Sequence, residues 1–256
     1  MKLVVLGSGT SVPHPERSSS AFWLETKAGS VLLDVGASAV HRMAQENLAW
    51  AELNAIWVSH FHLDHVGGLA PFLFGTKYAP QTQARRKPLA IFGPRGMDKL
   101  LRTFDRTGKY ELLEQPFSLE VREVAPLSEF EMLPGLRART LSTPHTRESV
   151  ALRLTEEHDG TSLVYTSDTG YIEALASFAR DVDLLMIECS FRRTSPVKTH
   201  LVLEEAINLA CLSGTRRALL THLYPEWDGV DLAAEAKKLW NGETIEARDG
   251  LRLEIS

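Results

Sequence analysis

Four side chains able to bind a metal ion crowd into one short stretch. SHFHLDHVGG, Ser59–Gly68, holds His60, His62, Asp64 and His65. In extended chain alternate residues face the same side, so His60 and His62 can grip one ion together. Asp64 and His65 follow where a turn can aim them at a neighbouring position. Three more donors stand directly after apolar runs that read as strands: His145 in LSTPHT, Asp168 in LVYTSDTG and His222 in ALLTHLYP. Loops held by a rigid sheet are the usual place for binding residues, and such ends can converge on one edge. A zinc-like ion that keeps an open position takes about three protein ligands, so these imidazoles and carboxylates fit two ions better than one. Asp168, with two oxygens, can bridge both. The donor set suits zinc, and also manganese or iron.

The elements that must position these residues follow from apolar runs and turn signals. Strands are expected at Lys2–Gly9, Ala21–Thr26, Ser30–Val35, Leu53–His60 and Pro88–Pro94, with helices at Ser38–Glu46, after Gly67-Gly68, and over RGMDKLLRTF. The stripe Met97, Leu100, Leu101 and Phe104 marks the last of these as core packing. From Phe117 to Asp168 several strands with tight turns follow. A short helix near Tyr171–Ala179 precedes strand VDLLMIEC, helix Leu201–Leu212 and strand RALLTH. Helix DLAAEAKKLW and a last strand pair around the Asp249-Gly250 turn close the chain. No repeat or linker interrupts this order, so a single domain over 1–256 is expected, of α/β (α+β) class: two mixed sheets with helices outside.

Composition sets bounds on partners. The 256 residues carry a net charge of -5, which speaks against coating nucleic acid by bulk electrostatics. Arg85, Arg86 and Lys87 form a local basic cluster whose simplest reading is a solvated loop. Cys189 and Cys211 are too few and too far apart for a disulfide framework, and read as buried free thiols. The N-terminal apolar run is too short for a signal peptide and no run approaches a membrane span, so a cytoplasmic protein without membrane contact is expected.

SHFHLDH, TPHT, YTSDTG and LTHLYP, in this order and with LGSGTSVPHPERSSS at the start, resemble the metallo-β-lactamase superfamily of binuclear hydrolases. The resemblance spans almost the whole chain. It implies an αββα sandwich with the metals at one edge of the sheets. It also implies that His60, His62 and His145 hold a first ion, that Asp64, His65 and His222 hold a second, and that Asp168 bridges them. Within the superfamily the opening segment and THLVLEEAINLA, with His200, look like the branch of ribonuclease Z and related phosphodiesterases. Ribonuclease Z carries a tRNA-gripping arm between the positions matching His145 and Asp168. Here those positions lie 23 apart, with a plain hairpin between them.

The activity expected is therefore cleavage of a phosphodiester by a metal-dependent hydrolase: a cyclic nucleotide, short nucleic acid or small phosphodiester. Asp64 would orient or deprotonate the attacking water, and His200, at the start of a helix, would assist the leaving oxygen. Other readings are a tRNA 3′ endonuclease working without the arm, a carboxylic ester or lactone hydrolase, and a non-catalytic metal-binding module. A homodimer is compatible with any of them. Asp34 in LLDVG reads equally as a support for a ligand histidine or as a strand-end turn. His14 and His41 have no partner motif and read as surface or satisfied histidines, and His158 reads as an exposed turn residue.

Overall fold

Alternation decides the layers. In β1 (Lys2–Gly7) Leu3 and Val5 face one side and Val4 and Leu6 the other, and all four are buried, so the strand is covered on both faces. The computed structural model, which describes residues 1–256, continues this pattern in β2 (Ala21–Thr26), β3 (Gly29–Leu33) and β4 (Ala55–Trp57). With β5 (Leu89–Pro94), β6 (Leu119–Val124) and β14 (Arg252–Glu254) they form a seven-stranded sheet in the order β14-β1-β2-β3-β4-β5-β6. The second sheet contains β7 (Glu129–Leu133), β8 (Leu136–Ser142), β9 (Val150–Glu156), β10 (Ser162–Tyr165), β11 (Leu184–Glu188), β12 (Arg217–Thr221) and β13 (Glu243–Glu246). Its order is β13-β12-β11-β10-β9-β8-β7. Both sheets are mixed: β3 to β6 run parallel in the first and β10 to β13 in the second, while the remaining pairs are antiparallel.

The sheets pack face to face. Leu3, Val5, Phe22 and Trp57 of one meet Leu152, Leu163, Tyr165 and Leu219 of the other in a dry central layer. The opposite side of the first sheet is covered by α1 (Ala39–Gln45), α2 (Leu63–Val66), α3 (Leu69–Tyr78), α4 (Pro80–Gln83) and α5 (Met97–Gly108), with Met43, Leu73 and Leu101 among the covering residues. α6 (Ala174–Phe178), α7 (Leu203–Ser213) and α8 (Leu232–Lys237) cover the second sheet through Leu175, Leu209 and Leu232. The result is an αββα sandwich of two mixed sheets with helices on the outer faces. No helix is long and apolar enough to cross a membrane.

Four local expectations are corrected. The strands flanking Asp249-Gly250 do not pair: β13 joins β12 in one sheet and β14 joins β1 in the other, so the turn steps between layers. Arg85 is not solvated. It is 5% exposed, its guanidinium donates to the carbonyls of Ala51, Leu53, Lys87 and Pro88, and it lies 4.5 Å from the Phe117 ring centroid. Cys189 is buried as expected, but Cys211 lies on the outer face of α7 and is exposed. His200 does not open the helix. α7 begins at Leu203, and His200 stands in the loop before it, where Phe191 bridges to Val202.

Candidate metal centre

Four strand ends of two sheets converge here. β4 runs out through Val58 to His60, and His62, in extended backbone, starts the single turn of α2 that carries Asp64 and His65. β8, β10 and β12 lead directly to His145, Asp168 and His222. Asp34 (φ 55), Ser167 (φ 53) and His222 (φ 58) adopt left-handed backbone, which non-glycine residues rarely do. Such conformations persist where the surroundings over-determine them, and they cluster at functional sites.

The donors form two groups. Ligand atoms of His60, His62, His145 and Asp168 all lie within 4.8 Å of one another, as do those of Asp64, His65, Asp168 and His222. Asp168 belongs to both. Its Oδ1 is 3.2 Å from His65 Nε2, and its Oδ2 is 3.3 Å from His222 Nε2, 3.6 Å from His145 Nε2 and 3.8 Å from His60 Nε2. Asp64 Oδ2 lies 3.5 Å from His222 Nε2, and His145 Nε2 lies 3.0 Å from His62 Nδ1. Every one of the sequence-predicted donors is thus brought into the cluster. His60, His65, Asp168 and His222 are buried, whereas His62 is exposed and leaves the centre open on one side.

The fit to metal rests on orphaned atoms. Nε2 of His60, His65 and His222 and Oδ1 of Asp168 are buried without a hydrogen-bond partner in the protein. Buried polar atoms are nearly always partnered, so several orphans aimed at one centre mark a place built for cations. Electrostatics agree. Burial opposes charge on Asp168, yet His222 and His65 hold its carboxyl well below the usual range. Burial likewise works against Asp64, but His222 and His65 pull it down to about 2. Burial pushes His60 well below its ordinary value, and the neighbouring His65 adds to this. His65 moves the other way: burial opposes its charge, but the carboxylates of Asp168 and Asp34 raise it well above its ordinary value, so an ion that takes its Nε2 must displace a proton there.

Buried carboxylates steady the cluster. Asp34, fully buried at the end of β3, accepts from His65 Nδ1 at 2.7 Å, from the Ser59 amide at 2.7 Å and from the Tyr165 hydroxyl at 2.6 Å. Of the two readings open for Asp34, support of a histidine is the one its contacts match. Sequence reasoning missed Glu188. Its Oε1 accepts from His200 Nδ1 at 2.9 Å and from the Thr169 amide at 2.7 Å, and its Oε2 from the Ser190 hydroxyl and the Leu201 amide. Glu188, His200 and His222 also lie close enough to suggest a third ion. Glu188, however, already receives four donors, so it is an orienting group. Burial works against charge on His200, but the hydrogen bond to Glu188, the Glu188 charge and the Asp168 charge together outweigh it and raise the imidazole above its ordinary value. His14 pairs with Asp228, and His158 faces Lys27 at the surface.

A family model described as anti-Pycsar protein Apyc1 matches residues 1–240. The chain belongs to this family. The Apyc1-family chain is 28% identical to the probable metallo-hydrolase YhfI of Bacillus subtilis over 255 residues, covering 98% of each chain. It is 26% identical to a ribonuclease Z of Methanosarcina acetivorans, covering 100% of this chain and 98% of that one. That alignment runs over 308 positions against 256 residues here, so the relative carries insertions. The crystal structure of YhfI superposes with a TM-score of 0.83 at 24% identity, covering 98% of each chain. That of human tRNase Z, short form, superposes with 0.81 at 20% identity, covering 100% of each. The fold is therefore the metallo-β-lactamase sandwich, and the relatives are metallo-hydrolases.

Proposed function

We propose that this protein is a binuclear metal-dependent phosphodiesterase that acts on a cyclic nucleotide, a short nucleic acid or another small phosphodiester. The observation that carries the reading is the pair of donor groups sharing Asp168, with orphaned nitrogens and oxygen turned to a common centre. His60, His62, His145 and Asp168 would hold one ion, and Asp64, His65, Asp168 and His222 the other; zinc fits this donor set, as do manganese and iron. Two divalent ions, when bound, supply Lewis acidity toward water and toward the phosphoryl oxygens.

The chain's own residues supply the rest. Asp64, whose carboxylate lies beside His222 and His65, would accept an O–H of the attacking water and orient it. His200 keeps Nδ1–H on Glu188 and has Nε2 free of hydrogen bonds within the protein, so in the imidazolium form Nε2–H can donate to the departing oxygen. The upward shift of His200 favours that form. Its ring lies 4.7 Å from that of His145 and 5.3 Å from that of His222, over the junction of the two groups.

A tRNA 3′ endonuclease is the second reading, favoured by the ribonuclease Z relatives. Against it, β9 and β10 are joined by a short turn at Glu157–Thr161, which leaves no arm between His145 and Asp168. The net charge of -5 also gives no broad positive surface for RNA. The deciding experiment sets zinc- or manganese-loaded protein against cyclic nucleotides, bis-p-nitrophenyl phosphate, precursor tRNA and carboxylic esters. Turnover of the first two with little or none of the others is expected. Accurate cutting at a tRNA 3′ end would promote the second reading, and turnover of esters alone would overturn both.

A further inference from the structure

The two buried carboxylates that support the centre, Asp34 and Glu188, each hold one histidine directly and one serine beside it. Asp34 takes His65 Nδ1–H, and its Oδ2 also accepts the Ser59 hydroxyl at 2.8 Å. Glu188 takes His200 Nδ1–H, and its Oε2 accepts the Ser190 hydroxyl at 2.5 Å. All four oxygen-bearing side chains are buried: Asp34, Ser59 and Ser190 are 0% exposed and Glu188 1%. A serine has a single hydroxyl proton. With an ionised carboxylate at hydrogen-bond distance, that proton is committed to the carboxylate, and the serine oxygen is left only with acceptor capacity.

Each committed oxygen faces a second histidine. Ser59 Oγ lies 3.1 Å from His60 Nδ1, and Ser190 Oγ lies 3.0 Å from His222 Nδ1. A ring nitrogen buried against an acceptor must carry the hydrogen, since the other tautomer would set two lone pairs together. Ser59 receives one more donor, the Ser167 hydroxyl at 2.6 Å, which fills its remaining capacity. Both histidines are thereby fixed as Nδ1–H tautomers with the Nε2 lone pair free, and those Nε2 atoms are the orphans that face Asp168.

We propose that Ser59 and Ser190 are positioning residues that pass the acceptor character of Asp34 and Glu188 on to His60 and His222, so that each carboxylate sets two imidazoles. The assignment deepens the binuclear reading and rests on it for its consequence at the metals. Asp34 thereby governs one histidine of each donor group. Glu188 ties the leaving-group histidine, His200, to a histidine of the second group. A polar residue with no contact to ion or substrate controls which nitrogen is available to each.

The test uses Ser59→Ala and Ser190→Ala, with Ser59→Thr and Ser190→Thr as variants that keep the hydroxyl. Stepwise zinc affinities from competition with a chromophoric chelator are expected to fall about 10–100-fold for one of the two ions in each alanine variant. The weakened ion should differ between the two variants, and the threonine variants should recover most of the loss. Nitrogen-15 histidine spectra of metal-free wild type should show His60 and His222 protonated at Nδ1, with the Nε2–H form growing in the alanine variants. Unchanged zinc affinities together with unchanged tautomers would overturn the proposal. The spectra need no metal, so a wild type that binds no ions would sink the binuclear reading and leave the serine assignment to be decided by the tautomers alone. Should a variant unfold, the wild-type spectra still decide, because Nε2–H at either histidine contradicts the assignment.

Discussion

His200 is the residue whose surroundings best separate a catalyst from a metal-holding scaffold. It ligates neither donor group, yet its ring stands beside His145 and His222 and its Nδ1 is fixed on Glu188. In the proposed reaction a group placed this way acts on the departing oxygen, so its worth depends on how much that oxygen needs a proton. His200→Ala should keep both ions and the melting temperature, and lower kcat by about 10²–10⁴ on a phosphodiester with an alkoxide leaving group. The loss should shrink toward unity with p-nitrophenolate, which departs without protonation. Parallel kinetics on the two substrates, with metal content measured on the same samples, check this. An equal loss on both would mean that His200 steadies the centre and donates no proton.

Between residue and fold, the elements decide what was legible. The donors could be read because each is a histidine or aspartate directly after an apolar run, and strand ends deliver such residues to one edge. Asp34 stayed ambiguous because a strand-end carboxylate also suits a turn. Glu188 went unread because it closes the run LLMIE of β11 in an otherwise apolar context. Its signal was that a charge in so dry a strand must find partners, a requirement that names no partner until the fold brings Ser190 and His200 to it. Ser59 and Ser190 went unread for the same reason. Arg85 misled because a basic trio reads as solvated, whereas its guanidinium meets four carbonyls, two of which, those of Ala51 and Leu53, come from a segment distant in sequence. The contact between β3 and α3 is a further case that only the fold reveals. The Gly68 amide donates to the Val35 carbonyl at 2.8 Å, while the Val35 amide donates to the His65 carbonyl at 2.7 Å. A Cβ on Gly68 would sit 2.4 Å from the Gly36 carbonyl oxygen. Gly68→Ala must therefore push α2 and α3 off the sheet and carry His65 with them. A destabilisation of about 1–3 kcal/mol is expected from such overpacking, together with weaker binding of the ion held by Asp64, His65 and His222. Thermal melts and zinc titration of the variant read the two effects, and an unchanged second affinity would show that His65 is not positioned through this contact.

At the scale of the whole molecule the proposed centre would also act as a staple. His60, His62, Asp64 and His65 follow a strand of the first sheet, whereas His145, Asp168 and His222 follow strands of the second. Ions bound to both sets would join the edges of two sheets that also meet through the apolar layer around Phe22, Trp57, Leu152 and Leu163 and through hydrogen bonds such as Tyr165 to Asp34 and Ser167 to Ser59. Because the unfolded chain cannot hold these donors together, binding adds to folding free energy, by about 2.7 kcal/mol for each independent site at a free ion concentration a hundred times its dissociation constant. Chelation should thus lower the melting temperature by roughly 5–10 °C per site at that saturation, using about 2–4 °C per kcal/mol for a chain of this size. Asp168→Ala removes the one residue common to both groups. With zinc present it should bind neither ion tightly, and a chelator should lower its melting temperature no further. Calorimetry of wild type and variant, each with and without chelator, makes the comparison. A variant that still responds to chelation like the wild type would show that Asp168 does not join the two sites, and that the sheets are held at this edge by ions bound independently of each other.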